Sequence, residues 1–329
     1  MLFYPSHDIA LAHGVKHFNP PLAALRLQED LASLSDTWNG PFFRGEVDFP
    51  QPWGWDWDTR KYIHEKYKVK NTQLSTDEEL EALRQLSSRK TTITLIEQLK
   101  KRLQDSTFPT PSYLSSMEEV EAFMALHKDY VLKTPWSSSG RGLMRSTVPA
   151  STLQKHALAT LQKMGGIMGE PWIENKVQDF AMLFFVGANE VRFIGYSLFD
   201  NDATTYRQGY LMSNDAIIAK LQVGRERLDA IKDCYLQILQ EMFAPLMGKP
   251  WQVGYVGIDM MTYRPSGLQI KESELPLCIS PCVEMNLRCT MGVVCRLWYD
   301  EYQQEGIFRI SPMEKDGHFK AQFLTHLDE

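Results

Sequence analysis

The chain has 329 residues, 43% of them hydrophobic, enough for a sizeable core and two or three compact units. A formal charge of −6 argues against a nucleic-acid partner, which would favour a basic stripe. No stretch approaches the ~18 apolar residues of a membrane span, and the first residues lack the basic and apolar regions of a signal peptide. Cys234, Cys278, Cys282, Cys289 and Cys295 lack the paired spacing of a zinc site, so the expectation is buried or half-buried thiols in a reducing cytoplasm and no membrane partner.

Residues 1–5 read as a short strand that opens an N-terminal α/β unit. His7 and Asp8 follow it, where open α/β sheets bind ligands, so either one meets substrate or caps locally. Leu22, Leu25, Leu27 and Leu31 repeat at helical spacing over 20–33, and 46–49 is a strand candidate. Trp53, Trp55 and Trp57 alternate on an extended segment and read as packing of the core or of a surface loop. Helices are expected at 59–67 and at 76–86, the second with Ser75 and Thr76 as caps and an acidic first turn. Another helix is expected over 91–103, and Phe108-Pro109-Thr110-Pro111-Ser112 marks a domain boundary.

Beyond it come a helix at 117–126, a strand at 130–133, a helix at 149–164 and strands at 180–186 and 190–199. Tyr206 and Arg207 lie in a polar stretch that could border a cleft, and 228–243 has the pattern of an amphipathic helix. The domains expected are 1–108, 109–198 and 199–329.

Three segments carry chemistry. On Cys282-Val283-Glu284-Met285-Asn286-Leu287-Arg288, read as a strand, Glu284 and Asn286 share one face. With Asp259 on an adjacent antiparallel strand, that face holds two carboxylates and an amide oxygen, a hard ligand set suited to Mg²⁺. Tyr130-Val131-Leu132-Lys133 runs into a loop of small residues, Ser137, Ser138, Ser139, Gly140, Arg141 and Gly142, whose backbone N–H groups could close over phosphate oxygens. The third segment is Gly169-Glu170-Pro171-Trp172-Ile173-Glu174, a linker followed by an apolar strand after Asp179. Taken singly, each has a plain reading: the solvated face of an edge strand, a surface turn, an ordinary connection. The loop matches neither the Walker pattern nor the dinucleotide fingerprint.

The ordered set resembles the ATP-grasp superfamily over roughly residues 88–296, and the chain's start is similar to functionally unassigned bacterial members of it. The resemblance implies an α/β (α+β) ATP-grasp fold, with an N-terminal Rossmann-like domain before a two-lobed ATP-grasp domain. It implies that Lys133 contacts the α- and β-phosphates of ATP and that Ser137, Ser138, Ser139, Gly140, Arg141 and Gly142 form a phosphate lid. Glu170 would accept from the adenine amino group, with the backbone of Trp172 and Ile173 completing the hinge and Asp179 at the ribose. Asp259, Glu284 and Asn286 would hold Mg²⁺ (or Mn²⁺), with Glu284 bridging two ions, and Arg288 would stabilise an acyl phosphate. Arg89 or Lys90 falls where the family has a further phosphate-binding lysine. The segment 264–280 is longer than the usual turn between the metal-binding strands.

The function so implied is an ADP-forming carboxylate–amine ligase acting on small molecules, with homodimerisation left open. Two alternatives stand beside it: a small-metabolite kinase on the same fold, and a non-catalytic ATP- or partner-binding protein.

Overall fold

The computed structural model describes residues 2–16, 18–32, 49–137, 142–202, 205–265, 277–313 and 317–325. In the N-terminal region the elements are helices: α1 (His7–His13), α2 (Leu22–Asp30), α3 (Trp57–Tyr67), α4 (Asp77–Leu86) and α5 (Lys90–Leu103). Capping fixes where they begin. Asp56 accepts from the Thr59 N–H at 2.7 Å and starts α3 two residues before the expected position. Thr76 and Glu79 form a reciprocal capping box on α4.

This region departs from the expected Rossmann-like domain, because among the described residues it contains no sheet. The expected strand at 1–5 is reduced to a bridge from Leu2 to Pro52, and Gly54 bridges Arg288. The strand candidate at 46–49 lies outside the described residues for all but its last position. Trp53, Trp55 and Trp57 are all buried, and the Trp55 indole donates to the Gln252 carbonyl at 2.7 Å. The tryptophans are core, as expected.

Two antiparallel sheets follow. The small one, order β1-β4-β2-β3, is built from β1 (Ser112–Leu114), β2 (Tyr130–Lys133), β3 (Leu143–Arg145) and β4 (Ile167–Pro171). Helices α6 (Met117–Leu126) and α7 (Ala150–Met164) cover it through Val120, Phe123, Leu153 and Ala157. Among the described residues the large sheet has seven strands, order β11-β10-β7-β6-β5-β8-β9. They are β5 (Lys176–Val186), β6 (Val191–Asp202), β7 (Thr205–Leu211), β8 (Gly254–Tyr263), β9 (Cys278–Asn286), β10 (Gly306–Pro312) and β11 (Phe319–Thr325). The division between the sheets falls at 172–175, so the expected boundary at 198/199 cuts β6. Helices α8 (Asn214–Leu221), α9 (Arg225–Phe243) and α10 (Met291–Tyr302) complete the lobe.

One apolar core joins the N-terminal helices to this large sheet. Leu80, Leu83, Leu95 and Leu99 share it with Phe180, Phe184, Tyr235, Ile258 and Met285. Among the described residues, 1–108 therefore have no core separate from it. All five cysteines are free thiols, and no helix among the described residues is long and apolar enough to cross a membrane.

A shared core should unfold as a unit. Leu95, fully buried in it, sets the test: Leu95→Ala should cost about 2–5 kcal/mol. Tryptophan fluorescence and far-ultraviolet circular dichroism should shift together in urea. A transition confined to the N-terminal helices would show an independent domain.

Candidate active site

Register brings the acidic residues together. Across β8 and β9, Asp259 stands directly opposite Glu284, and Gly257 opposite Asn286. The three polar side chains therefore share one face, while Met285 and Leu287 enter the core behind it. A bulge between Asp259 and Met261 re-aims the strand just beyond the pair, where Pro281 sits. Proline suits a bulge because it has no N–H to give to a ladder. The Pro281 carbonyl instead accepts from the buried Tyr235 hydroxyl at 2.6 Å.

Like charges directly opposite on a sheet repel. Burial, reinforced by Glu284, pushes the Asp259 carboxyl up to about 7, against the opposing pull of Arg288 and the Asn286 amide. Asn286 Nδ2–H donates to Asp259 Oδ2 at 3.0 Å, and its Oδ1 accepts from Arg288 Nη2 at 3.2 Å. Asp179 also adds negative potential here, from the neighbouring strand β5. Its carboxylate accepts from Lys176 at 2.6 Å and Asn201 at 3.1 Å. Asp179, expected at the ribose, thus lies on the acidic face, where Ala181 on the same strand stands opposite Asp259.

Arg89 answers this charge. Its side chain is almost fully buried, and Nη2 meets Glu284 Oε1 at 2.8 Å. The other terminal nitrogen, Nη1, donates to the Thr134 carbonyl at 2.8 Å and to Ser137 Oγ at 2.7 Å. Its backbone N–H donates to the Pro135 carbonyl at 2.9 Å. One residue thereby ties the start of α5 to both the loop stem and β9. Gly142 closes that stem: it accepts from the Thr134 N–H at 3.0 Å with φ of 74°, and a Cβ would lie 2.4 Å from Thr134 Oγ1. Ser138, Ser139, Gly140 and Arg141 lie outside the described residues.

Lys90 faces elsewhere. It is exposed, with Nζ 4.6 Å from the centre of the Tyr113 ring, so of the two basic neighbours Arg89 is the one at the acidic face. Lys133, at the end of β2, is buried and pairs with Glu170 Oε2 at 2.5 Å. Glu170 is a strand residue, opposite Val131, rather than part of a linker. Its carboxylate accepts from Lys133 Nζ. The Trp172 N–H is also engaged, donating to the Asp129 carbonyl at 2.9 Å. The indole of Trp172 carries the Arg145 guanidinium at 3.9 Å from its ring centre. Of the expected hinge, Ile173 makes no backbone hydrogen bond among the described residues.

Arg288 follows β9 and reaches back to the N-terminal region. Its Nε donates to Asp8 Oδ1 at 2.7 Å. A cavity opens beside this pair, lined by His7, Asp8, Trp136, Ser137, Glu284 and Asn286 among others. Trp136 is fixed by its indole N–H on the Arg84 carbonyl, 2.9 Å away, and by the Arg84 guanidinium over its ring. Sequence reasoning flagged Asp8 without seeing its partner and missed Trp136 altogether. The reading of Tyr206 beside a cleft is corrected too: its hydroxyl lies 3.9 Å from Cys295 Sγ among apolar side chains, and burial raises it well above the usual range.

Among the described residues no three His, Cys, Asp or Glu side chains converge as a metal cluster. The candidate donors for Mg²⁺ are two carboxylates and one amide oxygen, a set suited to a hard cation that completes its shell with water and phosphate. Raising Asp259 from 3.8 to about 7 means that its ionised form carries a penalty of roughly 4 kcal/mol, which a bound cation would relieve. The residues fit the ion.

The sign follows from the direction of that shift. Below about pH 7 Asp259 holds a proton that must leave before it can ligate. Calorimetry with Mn²⁺ should therefore show affinity rising with pH up to about 7 and then levelling, with proton release. Asp259→Asn should bind weakly at every pH. A wild-type affinity flat from pH 6 to 8 would contradict the assignment.

No family model matches the chain, and no curated protein matches it in sequence. It is similar in structure to biotin carboxylase from Campylobacter jejuni in its beta-gamma-ATP complex, with a TM-score of 0.50 and 11% identity, covering 80% of this chain and 60% of that one. It is also similar to N5-carboxyaminoimidazole synthetase from Staphylococcus aureus complexed with ADP, with a TM-score of 0.44 and 10% identity, covering 70% of this chain and 58% of that one. The chain thus spans about three fifths of the length of either structure. With its two antiparallel sheets and their helices, it has the fold of the ATP-grasp superfamily.

Proposed function

We propose that the protein is an ATP- and Mg²⁺-dependent ligase that activates a small carboxylate as an acyl phosphate and joins it to an amine, releasing ADP and phosphate. The observation that carries this reading is the opposed pair Asp259 and Glu284, with Asn286 on the same face and Arg288 held against it. When bound by these three residues, Mg²⁺ would supply neutralisation of phosphate charge.

The side chains divide the remaining work by charge. Attack of a carboxylate on the γ-phosphorus brings anions together, so the barrier depends on fixed positive groups. Lys133 offers a buried ammonium, balanced by Glu170 until phosphates arrive. Arg89 stands between Glu284 and Ser137, where it can hold the loop stem over the phosphates. Arg288 supplies a fixed positive charge for the acyl group, and Asp8, Asn286 and the Cys289 carbonyl fix its orientation. Lys133 acts on ground state and transition state alike, whereas Arg288 meets charge that develops on transfer.

Two substitutions separate these roles. Glu284→Ala should lower kcat about 100- to 1,000-fold. Lys133→Ala should weaken ATP binding at least tenfold, because it removes a cation and leaves Glu170 unpaired beside the phosphates. A screen of amino acids, dipeptides and hydroxy acids for substrate-dependent nucleotide turnover tests the reaction itself. Chromatography should find ADP and phosphate; AMP and pyrophosphate would overturn the reading, since they require attack at the α-phosphorus.

A further inference from the structure

The ligase reading gives no account of His7 and Asp56, a buried pair 49 positions apart in sequence. His7 is 2% exposed and Asp56 is fully buried. Asp56 Oδ1 is occupied by the Thr59 N–H at 2.7 Å as the cap of α3, and Oδ2 lies 2.9 Å from His7 Nδ1. A carboxylate only accepts, so the imidazole proton sits on Nδ1 and the lone pair on Nε2. No described residue partners Nε2. The ring packs over Gly54, where a Cβ would come within 2.6 Å of Nε2, so this glycine makes room for it.

His7 also lines the cavity beside Arg288, together with Asp8, Glu284 and Asn286. An imidazole whose tautomer is fixed by a buried carboxylate, bordering the place where an acyl group would meet its nucleophile, is equipped to take a proton. The charged groups around it are Asp56 at Nδ1, Tyr4 near Asp56, and across the cavity Asp8 with Arg288 and Glu284 with Arg89.

We propose that His7 is the proton acceptor for the amine nucleophile, with Asp56 as its positioning residue; this rests on the ligase reading above. His7 Nε2 takes a proton from the bound ammonium group, and the neutral nitrogen it leaves forms a bond to the acyl carbon. The carbon–oxygen bond to phosphate breaks, and its electron pair leaves with the phosphate. The second proton, shed by the nitrogen after attack, goes to the departing phosphate, Asp56 stabilises the imidazolium formed at His7, and water later removes its proton.

The test uses the full chain with ATP, Mg²⁺ and the carboxylate panel, with ammonium, glycine and hydroxylamine as nucleophiles. His7→Gln should lower amine-dependent ADP release about 100-fold. Its loss with hydroxylamine should be at least tenfold smaller, since that nucleophile is already neutral. At saturating Mg²⁺, where protonation of Asp259 no longer limits metal binding, the acid limb of the pH profile should also flatten, and Asp56→Asn should show the same pattern more weakly. Calorimetric ATP binding and the thermal midpoint report whether each variant is folded. Equal losses for all nucleophiles, or an unchanged pH profile, overturn the role of His7 while the ligase reading stands. No turnover by the wild type with any pair overturns the ligase reading, and this inference with it.

Discussion

Two carboxylates face each other across β8 and β9, and much of the surrounding structure is arranged around that repulsion. A sheet gains nothing from Asp259 opposite Glu284, since cross-strand like charges destabilise it. Groups from three parts of the chain offset the charge: Asn286 from the same strand, Arg288 just beyond it, and Arg89 from the start of α5. Burial and Glu284 still raise Asp259 to about 7, so the compensation is incomplete. Such a deficit is consistent with the cation site proposed for this face.

The same charges connect the two sheets. Arg89 bonds to the loop stem of the small sheet through Thr134, Pro135 and Ser137, and to the large sheet through Glu284. Lys133 and Glu170 pair across neighbouring strands of the small sheet. Cys282, buried on β9, registers both sides: after desolvation, Asp259, Glu170 and Glu284 all contribute to raising its thiol. The anionic groups of both lobes are therefore close to one point. On the N-terminal side, Asp8 completes the ring of ion pairs by engaging Arg288.

Local chemistry made part of this legible in the sequence. Thr76 with Glu79 announces a helix start, and the bounds of β2 follow from four apolar or terminal positions, Tyr130 to Lys133. The alternation of Glu284 and Asn286 places them on one face without knowledge of the partner strand. What escaped depended on contacts distant in sequence. α1 was missed because its cap is Ser6 with no side-chain bond, and His7 is fixed by Asp56, 49 residues away. The hinge reading treated Trp172 as free, but its N–H goes to Asp129, a pairing set by how β4 lies against β2. Lys90 matched the expected residue type, yet the turn into α5 directs Arg89, one position earlier, to Glu284. The resemblance implied a Rossmann-like unit in the N-terminal region; its described helices instead share the core of the large sheet.

The central claim is that the fold holds Asp259 opposite Glu284 with its charge only partly offset, a deficit that a divalent cation relieves. Thermal unfolding of wild type and Asp259→Asn, each in a chelator and in Mn²⁺, tests it most directly. A carboxyl raised from 3.8 to about 7 penalises the folded state fully above pH 7 and not at all below about pH 4. The account therefore predicts that Asp259→Asn is more stable than wild type in chelator at pH 8, that the gap closes near pH 4, and that Mn²⁺ stabilises only the wild type. An Asp259→Asn variant that is less stable in chelator at pH 8, or that keeps the full Mn²⁺ stabilisation, would contradict it.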